Sequence, residues 1–421
     1  MTTPSGFPDD GTPVRVRQDG FSSLKGARAS SAETEATDGL FAGFAGEIRR
    51  RAEAIVSGAV SHGPLAAFLF ALSRGYGPGV RFRSVLFDRG LLPIRRLPVP
   101  VISVGNLTAG GTGKTPMVLF LAAELRRRGF RPAVVSRGYG GGAERIGDVV
   151  GDGERIFLDA ARAGDEPRLL AERLPGVPVI VGADRFAAGT TAVRRFSPDL
   201  ILLDDGFQHR RLARDLDLVL LDARRPLGNG HLLPRGPLRE PPGALGRADA
   251  LILTRSDRGA GLLPRIPEIA GIPVFRAIHR PALRRVVPAG RPMEAADPFP
   301  AGPDSLDGRR IFVFSGLADN ADVLRTVREL GGEPVGAMAF PDHHVFSEAD
   351  RTRVGRRADA VSADLLATTE KDAVRLPRSA SFSLDWAVLG VDMDFGGDAD
   401  RFHRFLTKRW EQIAKRMAEA R

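Results

Sequence analysis

The stretch Thr108-Ala-Gly-Gly-Thr-Gly-Lys-Thr115 has the residue types and spacing of a loop that wraps phosphate. Gly110, Gly111 and Gly113 let backbone N–H groups approach phosphate oxygens with no Cβ in the way. Lys114 can reach terminal phosphates as a compact charge that Arg does not mimic in a tight turn. Thr115 offers a hydroxyl to Mg²⁺. Thr108, Ala109 and Thr112 complete the candidate nucleotide-binding loop; Thr108 stands where the usual pattern begins with Gly. Lysine is rare here: Lys25, Lys114, Lys371, Lys408 and Lys415 are the only ones among 61 basic residues. The chain otherwise writes Arg, which singles out Lys114.

A phosphate loop that holds Mg²⁺ needs a carboxylate nearby, and Leu200-Ile-Leu-Leu-Asp-Asp-Gly-Phe-Gln-His209 supplies Asp204 and Asp205 at the end of an apolar run. Adjacent carboxylates in such a place repel unless a cation lies between them. Gly164-Asp-Glu-Pro167 opens a helix with two more acids. Leu233-Pro-Arg-Gly-Pro-Leu-Arg-Glu-Pro241 is a stiff loop presenting Arg235, Arg239 and Glu240. Phe340-Pro-Asp-His-His-Val-Phe346 holds two of only seven histidines, with no third ligand at metal-site spacing. Thr368-Thr-Glu-Lys-Asp372 carries the rare Lys371. Thr254-Arg-Ser-Asp257 is similar to a guanine-reading motif, which keeps a GTPase in view. A membrane-localising ATPase of the partitioning type would carry a Lys before the paired glycines, where Ala109 stands.

The elements that must position these residues follow from hydrophobic runs. Pro98–Val104, Arg131–Ser136, Val177–Val181, Asp199–Leu203, Asp217–Leu221 and Asp249–Thr254 read as strands, with a helix over Pro116–Arg128 after the phosphate loop. Near-continuous apolar strands alternating with helices predict an α/β protein with a doubly wound, mostly parallel sheet. A second, smaller α/β domain is expected from about residue 308. The expected boundaries are a polar extension over 1–48, an apolar and basic helical segment over 49–97, the P-loop core over 98–275, a Pro- and Arg-rich connection over 276–307, and the smaller domain over 308–421.

Within 49–97, residues 54–73 carry no Asp, Glu, Lys or Arg, yet Ser57, Ser61 and His62-Gly-Pro64 interrupt them. The strongly apolar part is too short to span a bilayer. One or two short helices lying in the interface are expected, followed by Arg74, Arg81, Arg83, Arg89, Arg95 and Arg96, which suit an anionic leaflet. The formal net charge is +10, but aromatics are sparse and not interleaved with the cations, so nucleic-acid binding is not expected. There is no Cys, which excludes disulfides and cysteine-ligated metal. The first fifty residues lack the apolar core of a secretory leader.

Together these segments resemble the tetraacyldisaccharide 4′-kinase (lipid A 4′-kinase) family. The match is carried by Val104–Pro116, Ser136-Arg-Gly-Tyr-Gly140, Gly164–Pro167, Asp204–His209, Leu233–Glu240, Ser315-Gly-Leu-Ala318, Phe340–His343 and Thr369-Glu-Lys-Asp372, in that order. The resemblance implies ATP- and Mg²⁺-dependent phosphorylation of the 4′-hydroxyl of an acylated glucosamine disaccharide at the cytoplasmic face of the bacterial inner membrane. No protein partner is implied. Carried over by motif, Asp165 is the general base, tuned by His343 from the smaller domain, with Lys114 on the phosphates. Thr115, Asp204, Asp205 and Glu240 are metal candidates; Arg137, Gln208, His209 and Arg239 are further active-site residues. His343 aligns better than His344. Site residues on both sides of the 276–307 connection imply that the site assembles when the domains close.

Overall fold

The computed structural model describes residues 47–48, 51–258, 266–293, 305–316 and 320–419. The expected extension over 1–48 lies almost wholly outside these residues, as do Leu317 and Ala318 of one family motif. By their contacts Met1–Glu53 form one unit and Ala54–Arg421 another; everything below concerns the second.

The chain enters through helix α1 (Pro64–Asp88), which carries Pro78 inside it. A helical stretch over 51–56 precedes it, so two helical pieces cover the stretch expected over 54–73; the second is not short but runs 25 residues. No helix among the described residues is long and apolar enough to cross a membrane.

The large sheet has eight strands: β1 (Val101–Asn106), β2 (Pro132–Ser136), β3 (Asp148–Gly151), β4 (Val179–Val181), β5 (Leu200–Asp204), β6 (Leu216–Asp222), β7 (Ala250–Thr254) and β8 (Val274–Arg276). Their order is β3-β4-β2-β5-β1-β6-β7-β8. Only β3 runs antiparallel to its neighbour. Every residue of β1, β2, β5 and β7 is buried, because helices cover both faces and alternation is lost. Helix α2 (Lys114–Arg127) lies on one face, where Met117, Val118 and Leu121 meet Ile102, Val104 and Leu202. Helix α3 (Asp165–Arg173) packs in the same cluster through Leu170 and Ala171. On the other face α4 (Arg185–Phe196) packs Ala188 and Ala192 against Val101, Ile201 and Leu203.

The smaller sheet has the order β11-β10-β12-β13-β9, from β9 (Ile278–Val287), β10 (Arg310–Ser315), β11 (Glu333–Ala339), β12 (Leu365–Thr369) and β13 (Trp386–Asp394). Strand β10 alternates: Ile311 and Val313 face α5 (Asn320–Glu329), while Phe312 and Phe314 face α6 (Glu348–Ala360).

Two expected boundaries change. Residues 276–307 are not only a connection, since β9 pairs antiparallel with β13 over Ile278–Asp394 through Val287–Trp386. Nor does the smaller domain run to the chain's end. The last helix, α7 (Ala399–Glu419), returns to the large sheet, burying Phe402, Leu406 and Ile413 with Leu125 and Phe275. Burying a side chain such as Phe402 is worth about 1.5–3 kcal/mol, which favours that packing over a free helix.

Candidate active site

Strand β1 sits between β5 and β6. From it the chain winds outward in both directions, the switch point where α/β sheets bind ligands beyond their strands' carboxyl ends. The phosphate loop leaves β1 here and runs into α2, with Gly113 as its left-handed N-cap (φ 90°). A Cβ on Gly113 would lie 2.3 Å from His279 Nε2, so only Gly fits both the dihedral and the space. The last residue of β7 and the one after it brace the loop. Thr254 Oγ1 donates to Thr112 O at 2.9 Å and Arg255 Nη1 to Gly111 O at 2.9 Å. The segment that resembles a guanine-reading motif is thus bonded to the loop's own carbonyls.

The acids ending β5 take different environments. Asp204 is 1% exposed. Its Oδ2 accepts from Ser136 Oγ at 2.9 Å, while its Oδ1 has no hydrogen-bond partner. Burial, then Glu166 and Asp205, push its carboxyl up to about 7. Asp205 adopts φ 51°. It receives two 2.8 Å bonds from Arg239 Nη1 and lies 3.6 Å from Lys114 Nζ. Burial opposes its ionisation, but Lys114 and Arg239 outweigh it and hold the carboxyl low. A buried oxygen without a donor, in the cleft that Thr115 and the phosphate-loop glycines also line, suits a hard divalent cation. Among the described residues no three of His, Asp and Glu gather to hold a metal alone. Mg²⁺ takes one or two carboxylates and completes its shell from phosphate and water.

The remaining candidates spread around the same cleft, whose volume is about 1030 Å³. Glu240 is buried and its carboxylate is paired with Arg247 Nη2 at 2.5 Å. Arg137 pairs with Glu144 at 2.5 Å. Gln208 Nε2 donates to Asn106 O at 2.9 Å, tying the acidic turn to the end of β1. His209 Nε2 is buried without a partner; burial, then Arg185, push the imidazole down to about 4, so it is neutral near pH 7.

Across the cleft, Asp165 is the first residue of α3, at the helix's positive end. His343 reaches it from the smaller sheet, Nδ1 lying 2.6 Å from Oδ2. His344 does something else: its Nε2 is 2.9 Å from Asp350 and its ring stacks on Phe340. Arg375 also grips Asp165 Oδ2, at 2.6 Å. Sequence reading gave no role to Arg375, and it quoted Ser136 and Arg255 only as members of longer motifs. Only the neighbouring Thr369–Asp372 motif hinted at the first.

A phosphate loop at the switch point, with paired carboxylates ending the next strand, defines a P-loop α/β nucleotide-binding protein. The chain matches the family model for LpxK, tetraacyldisaccharide-1-P 4′-kinase, over residues 65–411. It is 43% identical over 342 residues to a tetraacyldisaccharide 4′-kinase of Syntrophus aciditrophicus, covering 78% of this chain and 89% of the relative. It is 47% identical over 349 residues to one of Anaeromyxobacter dehalogenans, covering 80% and 90%. Among solved structures, LpxK from Aquifex aeolicus in complex with ATP aligns with a TM-score of 0.65 and 31% identity, covering 83% of this chain and 99% of that one. The chain belongs to the tetraacyldisaccharide 4′-kinase family and is a kinase.

Proposed function

We propose that this chain transfers the γ-phosphate of ATP to the 4′-hydroxyl of an acylated glucosamine disaccharide 1-phosphate, with Mg²⁺, at the cytoplasmic face of the bacterial inner membrane. The observation that carries this reading is one cleft lined by both Lys114 and the Asp165–His343 pair.

The backbone of Gly110–Gly113 and Lys114 would hold the β- and γ-phosphates. Thr115 and Asp204 would hold Mg²⁺, with Asp205 and Glu240 as its further acidic surroundings. When bound, the ion neutralises charge on the transferred group. Lys114 and Arg239, now shared with Asp205, are the cations free to turn to phosphate oxygens. In the transfer, the acceptor oxygen bonds to the γ-phosphorus while the bond to the β,γ-bridging oxygen breaks. The acceptor proton goes to Asp165, whose carboxylate His343 orients. A sugar hydroxyl is barely acidic, so alignment and charge stabilisation supply most of the rate.

The membrane part of the reading is supported by α1. Ser73, Tyr76 and Arg83 tie it to the core, donating to Leu232 O, Arg239 O and Gln208 O. Phe68, Phe82 and, beyond the helix, Leu91 are left 60%, 66% and 65% exposed, near exposed Arg74, Arg81 and Arg89. An apolar face flanked by cations fits an anionic lipid surface. The test is incubation with ATP, Mg²⁺ and the disaccharide lipid, read by mass spectrometry. One added phosphate is expected. ATP hydrolysis with no phosphorylated lipid would reject the reading.

A further inference from the structure

We propose that Arg375 is a positioning residue for phosphoryl transfer: it locks the Asp165 carboxylate by one oxygen and leaves the other to take the acceptor proton. The proposal rests on Asp165 being the base.

Both side chains that hold Asp165 converge on Oδ2, Arg375 Nη2 and His343 Nδ1 each at 2.6 Å. Among the described residues no hydrogen bond goes to Oδ1. Arg375 itself has no freedom. Its side chain is 3% exposed, and its Nη1 donates to Asp372 Oδ1 at 3.2 Å. Asp372 is fully buried and is held in turn by Thr369 Oγ1 at 2.7 Å and Gly316 N at 3.0 Å. A chain of bonds therefore runs from the end of β12 to the start of α3, ending on a carboxylate that lines the cleft. Immobilising a long Arg costs conformational entropy. Here that cost fixes the orientation of one acidic side chain, which suits alignment, since small misplacements of a reacting group lose large rate factors.

Among the described residues Asp165 pairs with no charged side chain besides Arg375 and His343, and the neighbouring charges pair with Arg375 and with one another. Asp342 lies 3.8 Å from Arg375, and Lys371 sits 3.9 Å from Glu166 and 4.0 Å from Asp342. Tyr139 flanks His343 at 6.4 Å between ring centres. Burial pushes the Asp165 carboxyl up, but the bond and charge of Arg375, then those of His343, bring it below its ordinary value. Removing Arg375 thus moves the ionisation of Asp165 to higher pH.

The test uses the full chain with ATP, Mg²⁺ and the disaccharide lipid in detergent micelles, recording kcat, KM and the pH profile of kcat. Arg375→Gln alone strands the buried Asp372, so Arg375→Gln/Asp372→Asn, which removes both charges, is measured beside it. Both should lower kcat by roughly 10- to 100-fold, leave KM for ATP within about twofold, and shift the acid limb of kcat upward. Arg375→Lys, which keeps the charge, should recover part of the loss and most of the limb. Adding Arg375→Gln to Asp165→Asn should cost little more than Asp165→Asn alone. An unmoved acid limb in the double variant, or a loss confined to KM, overturns the proposal. Near-normal activity of Asp165→Asn instead removes the base assignment beneath it.

Discussion

His343 Nδ1 and Asp165 Oδ2 meet at 2.6 Å although 178 residues separate them in sequence. One stands after β11 on the smaller sheet and the other opens α3 on the large one. His343 takes the left-handed conformation (φ 60°) to reach across. A non-glycine residue held there carries a cost of order 1–3 kcal/mol, and such strain gathers at working sites.

If Asp165 is the base, Asp165→Asn keeps the size of the side chain and removes the proton acceptor. It should lower kcat by roughly 10²- to 10⁴-fold and leave ATP affinity in calorimetry within a small factor. A loss below tenfold would hand the role to another group.

The fit of the phosphate loop to glycine is sharpest at Gly113, where φ is 90° and His279 Nε2 occupies the place of a Cβ. Gly113→Ala should destabilise the fold by more than about 1 kcal/mol and abolish nucleotide binding. Gly111→Ala meets no atom within 4 Å, so its denaturant midpoint should match the parent. Equal midpoints for both variants would contradict the geometry.

Asp350 offers a pH test away from the cleft. It completes the capping box of α6 with Ser347 and accepts from His344. Burial opposes its ionisation, yet the bonds from Ser347 and His344 bring its carboxyl down to about 2. A depressed value means the stabilisation is full above the unfolded value of about 3.9 and fades as pH falls toward 2. Chemical denaturation of the parent and Asp350→Asn should differ at pH 6 and converge near pH 2. A gap that stays constant over that range would refute the assignment.

For the lipid surface, Phe68→Asp/Phe82→Asp puts charge on the exposed face of α1 without touching Ser73, Tyr76 or Arg83. Co-sedimentation with anionic phosphatidylglycerol vesicles should fall several-fold, while the rate on a short-chain, micellar acceptor stays near the parent value. Unchanged sedimentation would locate lipid contact elsewhere.

What the sequence disclosed was local. The phosphate loop, the acids ending β5 and the strands around them each sit within a dozen residues, where spacing and period are enough. What it hid depends on distant pairing. Strand β9 reads as Ile-His-Arg-Pro-Ala-Leu-Arg-Arg-Val-Val, with Pro281 and three arginines masking its period. It tolerates them because it lies at the edge of its sheet, where a missing N–H goes unanswered without penalty. The hold of Arg375 on Asp165, across 210 residues, leaves no local trace. Helix α7 shows apolar residues three and four apart, but nothing in that pattern says which sheet it covers. Of His343 and His344, adjacent and identical in type, only the backbone turn decides which one reaches the acid.

The pairing of Ile278 with Asp394 makes the smaller sheet an insertion that begins and ends at one point of the larger core. Both crossing strands press on the phosphate loop, through His279 and Met393 beside Gly113. The lobe is therefore a cassette on a two-ply strap. Its length and surface can drift through evolution without shifting the frame to which the strap is sewn, whereas any tilt of the cassette is felt first at the glycine its stitching overlies.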